Sequence, residues 1–219
     1  MKKLIFLFGL LSAYISYSQD NQEKVYSTSG GEIIFSGAAM SIGGNEPNNV
    51  VRFSPVFNFQ NLVNYDAAEN IGFFTGLTFR NVGLVWDDPT TGNRKKARTY
   101  NLGIPVGIKL GNFEKSFIYG GYEIEFPFHY KEKEFQGDTK LKSNAWFSKK
   151  VESVQQAVMV GIQFPYGANL KFKYYLTNFF NEGYSDGSGT PYAGYDVNVF
   201  YVSLNFNLLK NTGFYYKDY

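Results

Sequence analysis

Two glutamates, Glu123 and Glu125, stand two positions apart in a stretch where apolar residues such as Ile124 and Phe126 alternate with them. Carboxylates on one face of a strand can share a proton, bind a cation or act as general acid and base. An isolated carboxylate is costly in apolar surroundings, so both side chains must turn toward a polar interior. We therefore expect cations to neutralise this pair in a buried salt-bridge network, with no catalytic role.

His129 is the only histidine, and the chain contains no cysteine. A histidine-based metal cluster, a thiolate metal site, a disulfide and a cysteine nucleophile are therefore excluded. One imidazole-dependent triad is conceivable, but spacing matches no serine and carboxylate to His129. The sequence thus predicts no catalytic residue, no metal and no cofactor. An enzyme that modifies lipid A through His129 stays open as an alternative.

Residues 183–187 read Gly-Tyr-Ser-Asp-Gly and match the nucleophile-elbow pattern of α/β-hydrolases. That motif needs a preceding strand, a following helix and a later histidine. No histidine follows, and Asp186-Gly187 is typical of a turn. We reject a hydrolase assignment.

The elements that position these residues are strands, as residues 100–110 show most clearly. Every second residue there is apolar, and the positions between them hold Gly103, Pro105, Gly107 and Lys109. Side chains alternate faces along a strand, so one face is apolar and the other is small or polar. Glycines on the polar face indicate a crowded interior. The pattern predicts a barrel with lipid outside and a packed polar lumen inside.

Seven other stretches resemble this one in length and alternation. They begin near residues 32, 50, 71, 118, 154, 170 and 195. Each is long enough to cross a bilayer when tilted, which takes roughly 9–11 residues. The sequence therefore predicts an all-β fold, an eight-stranded antiparallel up-and-down transmembrane β-barrel. A soluble lipid-binding barrel, with its aromatic-rich face turned inward, is the alternative.

The alternation predicts a change of phase in the third strand. Beyond Asn81 the bulky residues are Val82, Leu84 and Trp86, which would face lipid if a bulge lay near Arg80. We expect an outer aromatic girdle of Tyr100, Tyr130, Trp86 and Phe180.

The first 18 residues have the order of a secretory signal peptide, with Lys2 and Lys3, an apolar run over residues 4–15, and small residues before Gln19. Their removal brings the formal charge from +2 to about zero, which gives no indication of nucleic-acid binding. The expected organisation is a signal peptide over 1–18, a flexible periplasmic lead-in over 19–31, an outer-membrane β-barrel over 32–208 and a periplasmic tail over 209–219.

Two sets of charged or aromatic residues follow from this arrangement. The predicted lumen charge network consists of Arg52, Arg80, Lys109, Glu123, Glu125, His129, Lys171 and Lys173. Buried charges need partners, so this network would hold the barrel shut. The predicted contacts with the outer leaflet or a partner lie in loops and consist of Arg94, Lys95, Lys96, Arg98, Lys140, Lys142, Trp146 and Phe147. Cations there could bind the phosphates of lipopolysaccharide.

The leader ending Ser16-Tyr17-Ser18, the Gly-Ile-Pro-Val-Gly core of the fourth strand and the eight amphipathic strands resemble the small outer-membrane β-barrels of Bacteroidota, similar in architecture to OmpA and OmpX barrels. The resemblance covers nearly the whole mature chain. It implies outer-membrane location far more securely than any activity. Both termini are expected in the periplasm, because bacterial barrels have short turns on the periplasmic side and long loops outside.

The predicted function is a non-enzymatic barrel with a side-chain-filled polar lumen. It would act as a structural or surface-interaction protein, or as an accessory subunit of a secretion or uptake complex in the envelope. Its expected partners are outer-membrane lipid and lipopolysaccharide, with other envelope proteins as a further class. A narrow pore and the lipid A-modifying enzyme are the alternatives.

Overall fold

The structure is a computed structural model that describes residues 25–211 of the chain, and side chains from Val25 to Asn207. The expected signal peptide and the residues after 211 lie outside the described residues. Within residues 25–211, no helix combines the length and apolar character needed to cross a membrane.

Residues 25–211 form eleven strands and one short 3₁₀ turn. They are β1 (Val25–Ile42), β2 (Asn49–Val50), β3 (Arg52–Ser54), β4 (Phe59–Ala68), β5 (Ile71–Asp87), β6 (Arg94–Gly111), β7 (Phe117–Gln136), β8 (Thr139–Trp146), β9 (Gln155–Gln163), the turn Pro165–Gly167, β10 (Ala168–Tyr175) and β11 (Tyr195–Asn211).

Eight of these strands close into a ring in the order β1, β4, β5, β6, β7, β9, β10, β11, and β11 pairs back with β1. All neighbours in the ring are antiparallel. The short strands β2 and β3 continue the second ring position beyond β4, while β8 pairs with β7 outside the ring. The predicted eight-stranded antiparallel barrel is confirmed.

The two ends of the barrel differ in their connections. The links after β4, β6 and β9 are tight, and we call this the short-turn end. The links from β1, β5, β7 and β10 to the next strand of the ring are longer, and we call this the long-loop end. The N-terminus of β1 lies at the short-turn end, because Val25 pairs with Tyr65.

The outer surface of the ring is apolar and the interior is polar. Leu102, Ile104, Val106 and Ile108 are each about half exposed, while Glu123 is completely buried. The same exposure extends along the other strands, on Phe73, Leu77, Ile124, Phe126, Val158, Val160, Phe172, Val202 and Leu204. A continuous apolar surface of this kind is what a lipid bilayer solvates. The barrel is a transmembrane barrel, with lipid-facing strands as the sequence predicted.

The predicted change of phase in β5 is wrong. β5 and β6 pair in one unbroken register from Ile71–Leu110 to Asp87–Arg94. Val82, Leu84 and Trp86 therefore keep facing inward, where all three are fully buried. These three bulky residues fill the lumen near the long-loop end with apolar side chains. Alternation alone cannot distinguish such a filling from a lipid-facing row.

Several strands run further than the apolar alternation does. Residues 25–31, expected in a flexible lead-in, belong to β1, and residues 61–68, expected in a loop, belong to β4. Much of the long loop expected after the fifth strand is a hairpin made by the end of β7 and β8. Beyond the hydrocarbon region a strand can carry polar residues on both faces. The backbone hydrogen-bond ladder therefore extends further along the chain than the apolar alternation does.

Val106 lies in the middle of the apolar row on β6, so we expect Val106→Arg to destabilise the barrel by about 2–4 kcal/mol, the cost of a cation near the bilayer centre. Urea unfolding in lipid vesicles measures this change. Ser188→Arg, in the exposed loop after β10, is the control and should change stability by less than about 0.5 kcal/mol. Equal effects of the two substitutions would contradict the assigned lipid face.

Candidate functional site

A charge layer crosses the lumen near mid-height of the barrel. Its members are at most 3% exposed and come from four strands: Glu32, Arg80, Glu123, Glu125, Lys171 and Lys173. Three carboxylates thus face three cations. Burial of ions is tolerated when they are paired and hydrogen-bonded, so the equal number of each sign is what permits this layer to exist inside lipid.

Ion pairs connect the layer into one network. Arg80 bonds to Glu32 and lies 3.8 Å from an oxygen of Glu123. Lys171 Nζ lies 2.8 Å from Glu32, and Lys173 Nζ lies 2.7 Å from Glu123 and also contacts Glu125.

Neutral groups satisfy the remaining carboxylate oxygens. Ser203 donates to Glu32, and Thr78 donates to Glu123. Glu125 accepts hydrogen bonds from Asn101 at 2.6 Å and from the Tyr175 hydroxyl at 2.8 Å. With every carboxylate oxygen partnered, the network stiffens the interior.

The lumen glycines make room for this network. A Cβ at Gly103 would overlap oxygens of Glu123 and Thr78. A Cβ at Gly107 would overlap the ring of Phe74, and one at Gly161 would overlap Tyr119. These glycines, on β6 and β9, therefore leave space for the side chains that fill the lumen.

An apolar plug fills the lumen between the charge layer and the long-loop end. The ring of Phe180 stacks on Tyr192 at 4.6 Å and meets Trp86 edge-on at 5.7 Å. Phe179 and Tyr130 are buried beside them. The predicted outer girdle therefore lacks three of its members, Trp86, Tyr130 and Phe180. Their rings pack inside the lumen, because the loop after β10 folds into the barrel mouth.

Three residues of the predicted charge network lie elsewhere. Lys109 is in the lumen but near the short-turn end, where it pairs with Asp66 at 2.7 Å. Arg52 lies on β3, which pairs with β1, and its buried guanidinium donates to the carbonyl oxygen of Asn81 at 3.0 Å. Its hydrogen-bond partners are Asn81 and Ser54, so it takes no part in the charge layer.

His129 also lies outside the lumen. In the β6–β7 ladder Tyr100 pairs with His129 and Asn101 pairs with Pro127, which leaves Phe128 as a bulge. The bulge exchanges the two faces of β7, so Tyr130 turns inward and His129 turns outward. The imidazole stacks on Trp146 at 4.4 Å and on Tyr100 at 5.6 Å.

Glu32 is the member of the charge layer that the predicted network omitted. Its alternation with Ile33 and Phe35 gives it the parity of the lumen, and that was the available signal. Within the described residues, no cluster of His, Asp and Glu has the arrangement of a metal site.

A second site lies on the outer surface of the barrel. It is formed where β6, β7 and β8 make a three-stranded sheet beyond the lipid-facing residues. Directly paired residues share a face, so the register aligns the side chains in rows. The first row is Tyr100, His129 and Trp146; the next rows are Arg98, Lys131 and Asn144, then Lys96, Lys133 and Lys142, then Arg94, Phe135 and Lys140.

We call Lys96, Arg98, Lys131, Lys133, Lys140 and Lys142 the basic face. None of these six forms an ion pair with a carboxylate anywhere in residues 25–211. The nearby Glu132 and Glu134 alternate to the opposite side of the sheet, where Glu132 pairs with Lys150 at 3.3 Å.

The other predicted loop residues border this face. Arg94 is held by Asp87 at 2.8 Å, and Lys95 turns to the opposite side and pairs with Asp88 at 2.5 Å. Trp146 is 65% exposed and Phe147 is 77% exposed. Lys131 and Lys133 were not among the predicted contacts, because the bulge at Phe128 changes the face on which they lie.

Mutual repulsion acts within the basic face. Partial burial, then the charges of Lys140 and Arg98, lower the pKa of Lys133 below its usual value. Partial burial, then Arg52 and Arg98, lower the pKa of Lys96. Like charges placed directly opposite in a sheet are destabilising, so this face carries an electrostatic cost that a bound anion would relieve.

No protein-family model matches the chain, and no curated protein matches it significantly. Solved structures with a similar fold include Ail, the attachment invasion locus protein of Yersinia pestis, in complex with the heparin analogue sucrose octasulfate; it is 13% identical, with 86% of this chain and 97% of that chain covered and a TM-score of 0.39. Neisserial surface protein A is 11% identical, with 86% and 97% covered and a TM-score of 0.39. The outer membrane protein OprG from Pseudomonas aeruginosa is 11% identical, with 85% and 95% covered and a TM-score of 0.37.

The charge layer predicts the effect of removing one cation. Lys173→Met should lower the free energy of unfolding by about 3–5 kcal/mol, because it leaves Glu123 and Glu125 buried without their shared partner. Urea unfolding followed by heat-modifiable gel migration measures the change. Lys140→Met, on an exposed strand, is the matched control and should have an effect below about 0.5 kcal/mol. If both variants unfolded at the same urea concentration, the layer would not stabilise the barrel.

Proposed function

We propose that this chain is a non-enzymatic outer-membrane barrel of the Bacteroidota type that binds lipopolysaccharide phosphates on its basic face. The observation that carries the proposal is the set of six cations on one sheet face with no carboxylate partner among the described residues. A surface-interaction role follows, because the occupied face lies on the outside of the molecule.

The position of the basic face supports this partner. Bacterial barrels have short turns on the periplasmic side and long loops outside, which puts the basic face at the outer leaflet. Lys96 is four residues beyond Tyr100 on β6, or about 13 Å along the strand. The aromatic row of Tyr100, His129 and Trp146 suits the membrane–water interface, and the cations then lie at the height of headgroups.

The chemistry of the basic face suits a phosphate-bearing ligand. Arginine and lysine form strong charge-assisted hydrogen bonds with phosphate oxygens. Within one row, cations on neighbouring strands are spaced by the strand separation, about 4.8 Å, so one phosphate can contact two cations of a row. A bisphosphorylated glycolipid would thereby neutralise several of the six charges together.

Substitution of one row tests the proposal. Lys96→Gln/Lys133→Gln/Lys142→Gln should weaken binding of lipid A to the chain in nanodiscs about a hundredfold, since each surface cation contributes about 1 kcal/mol toward an anionic headgroup. Native mass spectrometry with titrated lipid A measures the affinity.

Lys115→Gln/Lys149→Gln removes two exposed cations away from the basic face and should leave the affinity within about twofold of wild type. Dephosphorylated lipid A should show no measurable binding to the wild-type chain or to either variant. Unchanged affinity in the triple variant, or equal binding of dephosphorylated lipid A, would overturn the proposal.

The alternative of a lipid A-modifying enzyme depends on His129. The charges of Lys131 and Arg98 act on its imidazole, Asn144 is hydrogen-bonded to it, and its ring contacts are Tyr100 and Trp146. A general base is normally oriented by a carboxylate, and none contacts His129 among the described residues. We therefore expect His129→Ala to leave the mass spectrum of cellular lipid A unchanged. A change in that spectrum on substitution would establish the enzyme and remove our proposal.

A further inference from the structure

A cavity of about 300 Å³ occupies the lumen between the charge layer and the short-turn end. Arg80 and Lys171 of the charge layer border its inner end, and Phe113 and Tyr166, in the tight connections after β6 and β9, border its mouth. This volume is at the lower limit for small-ligand pockets, which span about 300–1,000 Å³. It is separate from the basic face and does not depend on the proposed function.

One side of the cavity is a chain of hydrogen-bonded amides, which we call the amide belt. Gln60 donates to Asn207 at 3.1 Å, and Asn207 donates to Gln163 at 3.0 Å. Asn169 also donates to Gln163, at 3.1 Å, and accepts from the Tyr119 hydroxyl at 2.8 Å. The absence of a Cβ at Gly30 leaves space for Asn207 to pass over β1.

The amide belt can bind a further polar molecule. Gln60, Asn207 and Asn169 each use one N–H and one oxygen lone pair within the belt or toward Arg80. A primary amide has two N–H donors and two lone pairs. Each of the three therefore retains one donor and one acceptor.

Apolar side chains lie across the lumen from the amide belt. Phe74 on β5 and Pro105 on β6 line the cavity, and in the ring these strands are opposite β10 and β11, which carry Asn169 and Asn207. Met159 also lines it. The cavity thus has one hydrogen-bonding wall and one apolar wall.

The charges around the cavity are already neutralised. Lys109 pairs with Asp66 at 2.7 Å, Lys171 pairs with Glu32 at 2.8 Å, and Arg80 pairs with Glu32 as well. Among the described residues, no carboxylate lines the cavity itself. A charged ligand would be buried without a free counter-ion, so the site favours a neutral one.

The charge layer and plug close the inner end, so only the end of a polymer, or a small molecule, can enter. The end of a polypeptide carries a charge, whereas the end of a neutral glycan carries hydroxyl groups. A pyranose ring also has a polar edge and an apolar C–H face, which correspond to the two walls. We infer that this cavity binds the terminal unit of a neutral saccharide chain that reaches the short-turn end.

Methionine-methyl NMR of the full chain in nanodiscs tests the inference. The sequence has three methionines: Met159 lines the cavity, Met40 packs beside the plug, and Met1 lies in the expected signal peptide. Titration with maltotriose or tri-N-acetylchitotriose should shift the Met159 signal to saturation and leave Met40 unchanged. Diglycine with charged ends should shift neither signal.

Gln163→Leu removes the acceptor that Asn169 and Asn207 share, so it should weaken saccharide binding about tenfold, the effect of roughly one lost buried hydrogen bond. Gln156→Leu, on the outward face of β9, is the matched control and should bind as wild type. If Gln163→Leu does not fold, Tyr119→Phe removes only the hydroxyl that holds Asn169 and should show the same loss. A Met159 signal that neither saccharide shifts, an equal shift with diglycine, or full binding in the folded variant would overturn the inference.

Discussion

The neutral pairing of buried charges inside the ring is the constraint on which the rest of this structure depends. Glu32, Glu123 and Glu125 lie in a part of the chain surrounded by lipid-facing strands, where an unpaired carboxylate would be expensive. Arg80, Lys171 and Lys173 neutralise them across the lumen. The same requirement fixes which face of every strand turns inward, and therefore places the apolar side chains in contact with lipid. The closed ring removes the unpaired strand edges that lipid could not solvate.

The charge layer also divides the lumen into two parts with different chemistry. Toward the long-loop end the interior is an apolar core, in which Phe180, Tyr192 and Trp86 pack on one another. Toward the short-turn end it opens into a cavity with amide and aromatic walls. The barrel thereby carries two separate features, a basic outer face near the long loops and a cavity at the opposite end. An eight-stranded ring has room for such a filling and for little else.

The sequence predicted the barrel because apolar alternation is strong wherever a strand touches lipid, as in Leu102, Ile104 and Val106. It also predicted that Arg80, Glu123, Glu125, Lys171 and Lys173 share the lumen, since their parity follows from the same alternation. It could not predict the position of His129, which depends on a single bulge at Phe128 that no turn residue marks. Nor could it separate a lipid face from an apolar plug at Trp86, because both place bulky residues at every second position. The basic face was predicted only as dispersed loop charges, since the hairpin of β7 and β8 lacks an apolar side that would mark it as a sheet.

The charge layer and the plug together seal the lumen, and single-channel electrical recording is the sharpest test of that seal. The purified chain, inserted into a planar lipid bilayer with insertion verified by protease protection, should give no stepwise conductance above the bare-membrane baseline in molar potassium chloride. Reproducible single-channel steps from the wild-type chain would contradict the account, because they would require a continuous water-filled path past Arg80, Lys173 and Phe180.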